Sequence, residues 1–331
     1  MKITLYLHVG AGKTASSAIQ KFLHVNATTL EASGIYVPDN SVNGQLRGRG
    51  QHVMYCGSLL QNRATAGERL KEDLARIVAK KPDCKSIVLS AENLSNPSGF
   101  PTIFEEISEI YDIRIIFYIR RQDDYLISAW QQWYCKIYSD FNSWAKADWF
   151  RANWELVCRD WEKVVPLDHM RVRTYESASR ADGGILADFA SAIGYPEPKA
   201  LSQPTGVENQ SLSDSVTDLA TGKKSLFRDI HDNDFYKMIL DLTGNKYVKR
   251  KGETALPIED RYQIIASYRQ CNEWLCKTFG LAENADRLFP DIRQQNLHEL
   301  TTEEISREKE EIILSLILGN YSQQKALAKK I

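Results

Sequence analysis

Ile3-Thr4-Leu5-Tyr6-Leu7-His8-Val9-Gly10-Ala11-Gly12-Lys13-Thr14-Ala15-Ser16-Ser17-Ala18-Ile19-Gln20 is the stretch from which the fold can be read. Ile3 to Val9 is apolar and rich in strand formers. Two glycines, a lysine and three hydroxyl residues follow, and then Ile19, Phe22 and Leu23 at helical spacing. The order predicts a buried strand, a tight loop and a helix start. Such a junction favours an anion. Glycines let the backbone curl so that successive N–H groups face inward. The helix N-terminus adds unpaired donors and partial positive charge. Lys13 adds a full charge, and Thr14, Ser16 and Ser17 add side-chain donors.

The loop is shorter than the nucleotide-triphosphate loop, which needs a glycine five residues before Gly12. Leu7 stands there. Composition bounds the rest. The chain has 331 residues, 43% hydrophobic and 26% charged, which suits one large domain or one with a helical appendage. A net charge of −1 implies no broad basic field for nucleic acid, so any anion site is local. The six cysteines, at 56, 84, 135, 158, 271 and 276, lack metal-finger spacing. They read as free thiols of a reducing compartment. The N-terminus enters a strand without a basic, then apolar, leader. No apolar run reaches the roughly 20 residues that span a bilayer. The expectation is a cytoplasmic protein with no membrane span.

Outward from the first loop, helix is expected over 14–32, a short extended piece at Ile35–Pro38, and a polar mobile loop from Asp39 to Gly50 with Arg47 and Arg49. Helices are predicted at 53–60 and 67–80, a strand at Ile87–Leu89, a helix at 104–111 and a strand at Ile113–Ile119. A helix at 123–138 comes next, then one at 149–164, a strand at 170–175 and a helix at 184–193 that ends at Gly194. Strands separated by helices imply a central parallel sheet flanked by helices. After Pro196 the pattern is helical: 212–220, 226–242, 258–279 and a capped terminal helix from Thr302. The expected division is an α/β core over 1–196 and a mainly helical part over 197–331 packed on the same domain. The long terminal helix could dimerise.

A second anion signal follows the strand Ile113–Ile119: Arg120-Arg121-Gln122-Asp123-Asp124-Tyr125-Leu126-Ile127-Ser128. Ligands of open parallel sheets sit outside the carboxyl ends of strands. Arg120 is at such an end, and Ser128 lies about two helical turns on. The two can converge on one phosphate. The same residues also read as a basic strand end with a capping cluster. Trp130, Trp133, Tyr134 and Tyr138 fit either a sugar-binding wall or the core stripe of a helix, with core favoured.

His8-Val9-Gly10-Ala11-Gly12-Lys13-Thr14-Ala15-Ser16-Ser17-Ala18-Ile19-Gln20 resembles the 5′-phosphosulfate loop of sulfotransferases, in the bacterial carbohydrate-type wording His-Ile-Gly-x-Pro-Lys-Thr-Gly-Thr-Thr-x-x-Gln. Gly12 stands in place of the proline and Ala15 in place of a glycine. Arg120 and Ser128 resemble the 3′-phosphate motif of the same family. Tyr175-Glu176 resembles an element near its adenine pocket, and Asn209 to Ser213 and Asn272 resemble its C-terminal half. The resemblance spans residues 3–195 and implies a P-loop-like sulfotransferase fold with a helical C-terminal extension. It implies 3′-phosphoadenosine 5′-phosphosulfate (PAPS) as sulfuryl donor, its 3′,5′-bisphosphate (PAP) as product, and no required metal.

The residues that would hold the donor are Gly12, Lys13, Thr14, Ala15, Ser16, Ser17, Arg120 and Ser128. Lys13 is by resemblance the catalytic lysine. A general base must take the acceptor proton. Glu92, just past a strand end, is the first candidate, with capping or pairing to Lys13 or Arg120 as its other reading. His52, titratable near neutrality, is the second. His8, inside a strand, is expected to be a buried histidine beneath the loop. Lys249-Arg250-Lys251-Gly252 reads as a solvated basic turn. The expected activity is sulfuryl transfer to a hydroxyl of a saccharide or glycoconjugate. The alternatives are a kinase with a shortened loop and a non-catalytic protein that binds PAP or PAPS. Segment 39–50 is the candidate acceptor lid.

Overall fold

A computed structural model of the chain describes residues 2–40, 50–96, 99–205, 211–244, 246–250 and 252–328. The elements run β1 (Thr4–Val9), α1 (Ser16–Ala32), β2 (Ile35–Tyr36), α2 (Val53–Gln61), α3 (Arg63–Lys80), β3 (Ser86–Ala91), α4 (Glu105–Ser108) and β4 (Asp112–Ile119). They continue with α5 (Gln122–Gln132), α6 (Phe141–Ala147), α7 (Trp154–Glu162), β5 (Met170–Thr174), α8 (Tyr175–Arg180) and α9 (Gly184–Ala192). The last third holds α10 (Asp214–Ala220), α11 (Asp234–Thr243), β6 (Glu253–Thr254), α12 (Ile258–Ser267), α13 (Arg269–Phe279), α14 (Ala285–Leu288), β7 (His298–Glu299) and α15 (Thr302–Ala328).

The sheet order is β2-β3-β1-β4-β5, and every pairing is parallel. Residues on both faces of β1 are covered, as parallel sheets require. Successive side chains alternate between the faces. Val88, Ile116 and Tyr118 meet Ile19, Phe22 and Leu23 of α1 and Phe189 and Ala190 of α9 in one apolar cluster. On the opposite face the Phe117 ring stands 6.0 Å from Trp154 of α7, edge to face. Trp161 of the same helix packs 5.4 Å from Phe104 and donates its indole N–H to the Leu94 carbonyl at 3.1 Å. The α/β sheet flanked by helices is therefore as the sequence pattern predicts.

The division of the chain differs from the expected cut at 196/197. One compact unit comprises 1–121, 153–208 and 268–289 and contains the whole five-stranded sheet. The other comprises 122–152, 209–267 and 290–331. The reason is non-local packing. Within the sheet unit α13 lies against α7, with Arg159 stacked 4.3 Å over the Trp274 ring. The predicted helix 258–279 is two helices, and the unit boundary falls between them.

The second unit has its own core of Val216, Ala220, Tyr236, Ile239, Tyr247 and Ile312. Arg261, 3% exposed, pairs with Asp123 at 2.6 Å and Asp124 at 2.5 Å. Trp130 lies 5.7 Å from both Phe141 and Trp144, and Tyr134 stacks on Trp144 at 4.5 Å. These two aromatics thus serve a local cluster, while Tyr138 is exposed. The predicted helix 226–242 begins only at Asp234, because Asp232 accepts from the backbone N–H groups of Arg228 and Asp234 and folds the intervening turn. Lys249 is paired with Asp214 at 3.0 Å, so the basic turn is only partly solvated, and Arg250 reaches Glu253. Lys251 lies outside the described residues. Helix α15 leaves Leu314, Ile317, Leu318 and Tyr321 exposed. All six cysteines are free thiols. Among the described residues no helix is long and apolar enough to cross a membrane.

Phe22 anchors α1 to the sheet with no exposed surface. Phe22→Ala is expected to cost about 3–5 kcal/mol of stability, read as a lower urea midpoint with an unchanged denaturant slope.

Candidate active site

Parallel register brings the strand ends together. Val9 lies opposite Ala91, the last residue of β3, and β1 pairs on its other side with β4. Ile119 at the end of β4 lies opposite Thr174 at the end of β5. The four tips therefore share one edge. From β1 the chain passes to β2 at one edge and returns to β3 beside β1, then crosses to the other side for β4 and β5. The switch point lies between β1 and β4, where ligands of such sheets bind.

The loop after β1 is held from both sides. The Gly10 N–H donates to the Ala91 carbonyl at 3.3 Å. A Cβ on Gly10 would sit 3.3 Å from Ser16 Cβ and 3.6 Å from Glu92 Cα, so a side chain here would press on Ser16. Lys13 and Ala15 both adopt left-handed backbone, φ 69° and 63°. Residues other than glycine pay for this conformation. It turns the chain so that α1 starts at Ser16 with Ala15 as its cap. No side chain caps the helix, and its first turn carries no acidic residue. Its leading N–H groups have no intrahelical acceptors.

Hydroxyl protons in the loop are already assigned, which the sequence does not reveal. Thr14, fully buried, donates to the Ala11 carbonyl at 2.6 Å. Ser16, 3% exposed, donates to Glu92 Oε1. Each hydroxyl has one proton to give. Thr14 and Ser16 therefore do not meet the expectation of side-chain donors to an anion. Ser17, half-buried on the first turn of α1, makes no side-chain hydrogen bond with the described residues and keeps its donor.

Arg120 closes the site. Its Nη1 donates to the Lys13 carbonyl at 3.0 Å, and its guanidinium lies 5.5 Å over the Tyr175 ring. The Arg120 carbonyl accepts from the Trp154 indole at 2.8 Å, and Glu176 Oε1 accepts the Arg121 N–H at 3.1 Å. Tyr175-Glu176 at the β5 tip thus belongs to the same edge as the loop. Burial, together with the Arg120 charge, lowers the Lys13 pKa, and Glu92 works against that shift. Glu92 begins the turn after β3. Ser95 Oγ shares its one proton between the Gly10 carbonyl at 3.0 Å and the Glu92 carbonyl at 2.8 Å, tying that turn to the loop.

The two histidines near the site, His8 and His52, are structural. His8 is fully buried, its Nδ1 2.7 Å from Ser90 Oγ, between the Tyr118 and Phe189 rings. Desolvation lowers its pKa to about 3. His52 is also fully buried. Its Nδ1 accepts the Ser90 N–H at 3.0 Å, which places the proton on Nε2, 3.3 Å from the Pro38 carbonyl. Burial lowers its pKa to about 4. Both nitrogens are spent on backbone, so this environment does not suit the general base expected of His52. Its place in a polar stretch concealed that it precedes α2 and packs beneath β3.

Ser128 is half-buried on the second turn of α5, which belongs to the other compact unit. The structure therefore groups Lys13, Ser17, Glu92 and Arg120, and leaves Ser128 with its own unit. Residues 41–49, most of the candidate lid with Arg47 and Arg49, lie outside the described residues, as do Asn209 and Gln210.

No family model matches the sequence. An uncharacterized protein of Archaeoglobus fulgidus is 25% identical over 185 residues, 55% of this chain and 50% of its own. The chain thus spans about half the length of that relative. Among solved structures, a sulfotransferase from Alicyclobacillus acidocaldarius aligns with a TM-score of 0.39 and 14% identity, over 61% of this chain and 85% of its own. A sulfotransferase domain from the curacin biosynthetic pathway aligns with a TM-score of 0.35 and 12% identity, over 80% and 96%.

Two expectations concern the loop and its support. Ala15→Gly removes the left-handed penalty and should stabilise the protein by about 1 kcal/mol, measured by urea unfolding. The histidines set an acid limit. Their folded pKa values, about 3 and about 4, lie below the ordinary 6.5. The unfolded chain therefore binds protons first. Stability is full above pH 6.5 and falls as pH drops towards 4 for His52 and 3 for His8, by about 1.4 kcal/mol per pH unit for each. His52→Gln should flatten this slope while lowering stability at pH 7, as read from denaturation midpoints at pH 7 and pH 5.

Proposed function

We propose that the chain is a sulfotransferase that moves a sulfuryl group from PAPS to a hydroxyl of a saccharide or glycoconjugate by in-line displacement. The observation that carries this reading is the hydrogen bond from Arg120 Nη1 to the Lys13 carbonyl. It unites the two cationic strand tips that the sequence resemblance assigns to opposite ends of one bisphosphorylated nucleoside. The residues fit such a ligand. An uncapped helix start, Lys13 and Ser17 offer a donor set for the 5′-phosphosulfate, and Arg120 offers a guanidinium for the 3′-phosphate. The Tyr175 ring at the same edge suits an adenine face. The role of Ser128 rests on the sequence resemblance alone.

When bound, the donor supplies an electrophilic sulfur and a phosphate leaving group. The acceptor oxygen forms the new S–O bond while the bond from sulfur to the bridging phosphate oxygen breaks. Glu92 takes the acceptor proton, and Lys13 meets the charge that develops on the departing oxygen. Positioning and charge compensation suffice for a transfer of this kind.

Lys13→Ala should lower kcat/KM on the order of 10²–10³-fold and Glu92→Gln on the order of 10²–10⁴-fold, with folds intact by circular dichroism. Wild-type turnover in Lys13→Ala would defeat the assignment. Calorimetry with PAP should show binding that Arg120→Ala weakens. Tight binding of magnesium-ATP instead would favour the kinase reading. PAP binding with neither transfer nor donor hydrolysis across a broad acceptor panel would mark a non-catalytic nucleotide-binding protein.

A further inference from the structure

The Ser16–Glu92 hydrogen bond changes what a hydroxyl in this loop is for. By sequence, Ser16 is one of several donors to the phosphosulfate. In the structure its one proton goes to Glu92 Oε1. The hydroxyl is almost completely buried, on the first residue of a 17-residue helix packed on the sheet. Its Cβ is seated where a Cβ on Gly10 would crowd it, at 3.3 Å. Rotation into the loop concavity would break the hydrogen bond to Glu92, its only side-chain hydrogen bond among the described residues. A rigid helix terminus thus aims one donor at one carboxylate.

We infer that Ser16 is a positioning residue for Glu92, holding the carboxylate in one orientation. This deepens the sulfotransferase reading and rests on Glu92 being its base. The groups around the carboxylate agree. From α1 comes the Ser16 hydroxyl. From the loop comes the Lys13 ammonium, whose pKa is coupled to Glu92. Arg120 stands behind Lys13, on its carbonyl. Below lies His8, buried and neutral, and Ser95 fixes the Glu92 backbone rather than its side chain. Capture of the acceptor proton then requires no reorientation of Glu92. The 5′-phosphosulfate is left to Lys13, Ser17 and the backbone N–H groups.

The test compares Ser16→Ala, Ser17→Ala, Glu92→Gln and the double variant Ser16→Ala/Glu92→Gln, with urea midpoints confirming that each folds. Ser16→Cys, close in size, replaces Ser16→Ala if the latter is unstable. If Ser16 acts through Glu92, Ser16→Ala lowers kcat on the order of tenfold and leaves the KM for PAPS within about threefold. Ser16→Ala costs nothing further once Glu92 is Gln. Ser17→Ala raises the KM for PAPS and leaves kcat in place. A Ser16→Ala defect confined to the KM for PAPS and additive with Glu92→Gln overturns the inference. Full activity of Glu92→Gln instead overturns the assignment of the base, a result separable from the behaviour of Ser16.

Discussion

Everything at the site depends on β1 being held in parallel register between β3 and β4. Val9 opposite Ala91 sets the height of the loop against the Glu92 turn. The pairing of β1 with β4 sets it against Arg120. A slip of one residue would turn every side chain of the strand to the other face. His8 would then leave its slot between Tyr118 and Phe189, and Gly10 would no longer oppose Ser16. The buried imidazoles add to this constraint. Ser90 gives its N–H to His52 and shares a hydrogen bond through its hydroxyl with His8, so one β3 residue ties the central strand to the start of α2.

The loop uses its residues unevenly. Gly10 is there for close packing, whereas the left-handed turns fall on Lys13 and Ala15. The position where the resembling family has glycine is therefore one where the backbone asks for it, and alanine meets the demand at a cost. The cost is small beside the burial that fixes α1 to the sheet. Strain of this kind is tolerated where surrounding structure over-determines the conformation, and here the Gly10–Ala91 and Arg120–Lys13 bonds do so from both ends.

Much of this was legible from the chain. Apolar runs bounded by glycine and charge located β1, β3, β4 and β5 to within a residue or two. The order of strands and helices implied the parallel sheet, and the strand-end rule singled out Glu92 and Arg120. Three things were not legible. Thr14, Ser16 and Ser17 look alike in sequence, and only the structure shows which protons are already spent. His52 sits in a polar stretch that gives no sign of a buried imidazole. The return of residues 268–289 to the sheet unit depends on contacts between α7 and α13, more than a hundred residues apart, and no local pattern encodes them.

That late return has a consequence for biosynthesis. The sheet is complete once Thr174 has been made, yet Trp274, which Arg159 covers, comes a hundred residues afterwards. A nascent chain that has delivered all five strands still lacks one wall of their compartment. Domains tend to fold as units during synthesis, and this one can finish only when α13 has emerged from the ribosome. For the same reason a fragment cut at the end of the strand-bearing region would carry an open apolar flank along α7, and would invite aggregation rather than report on the intact protein.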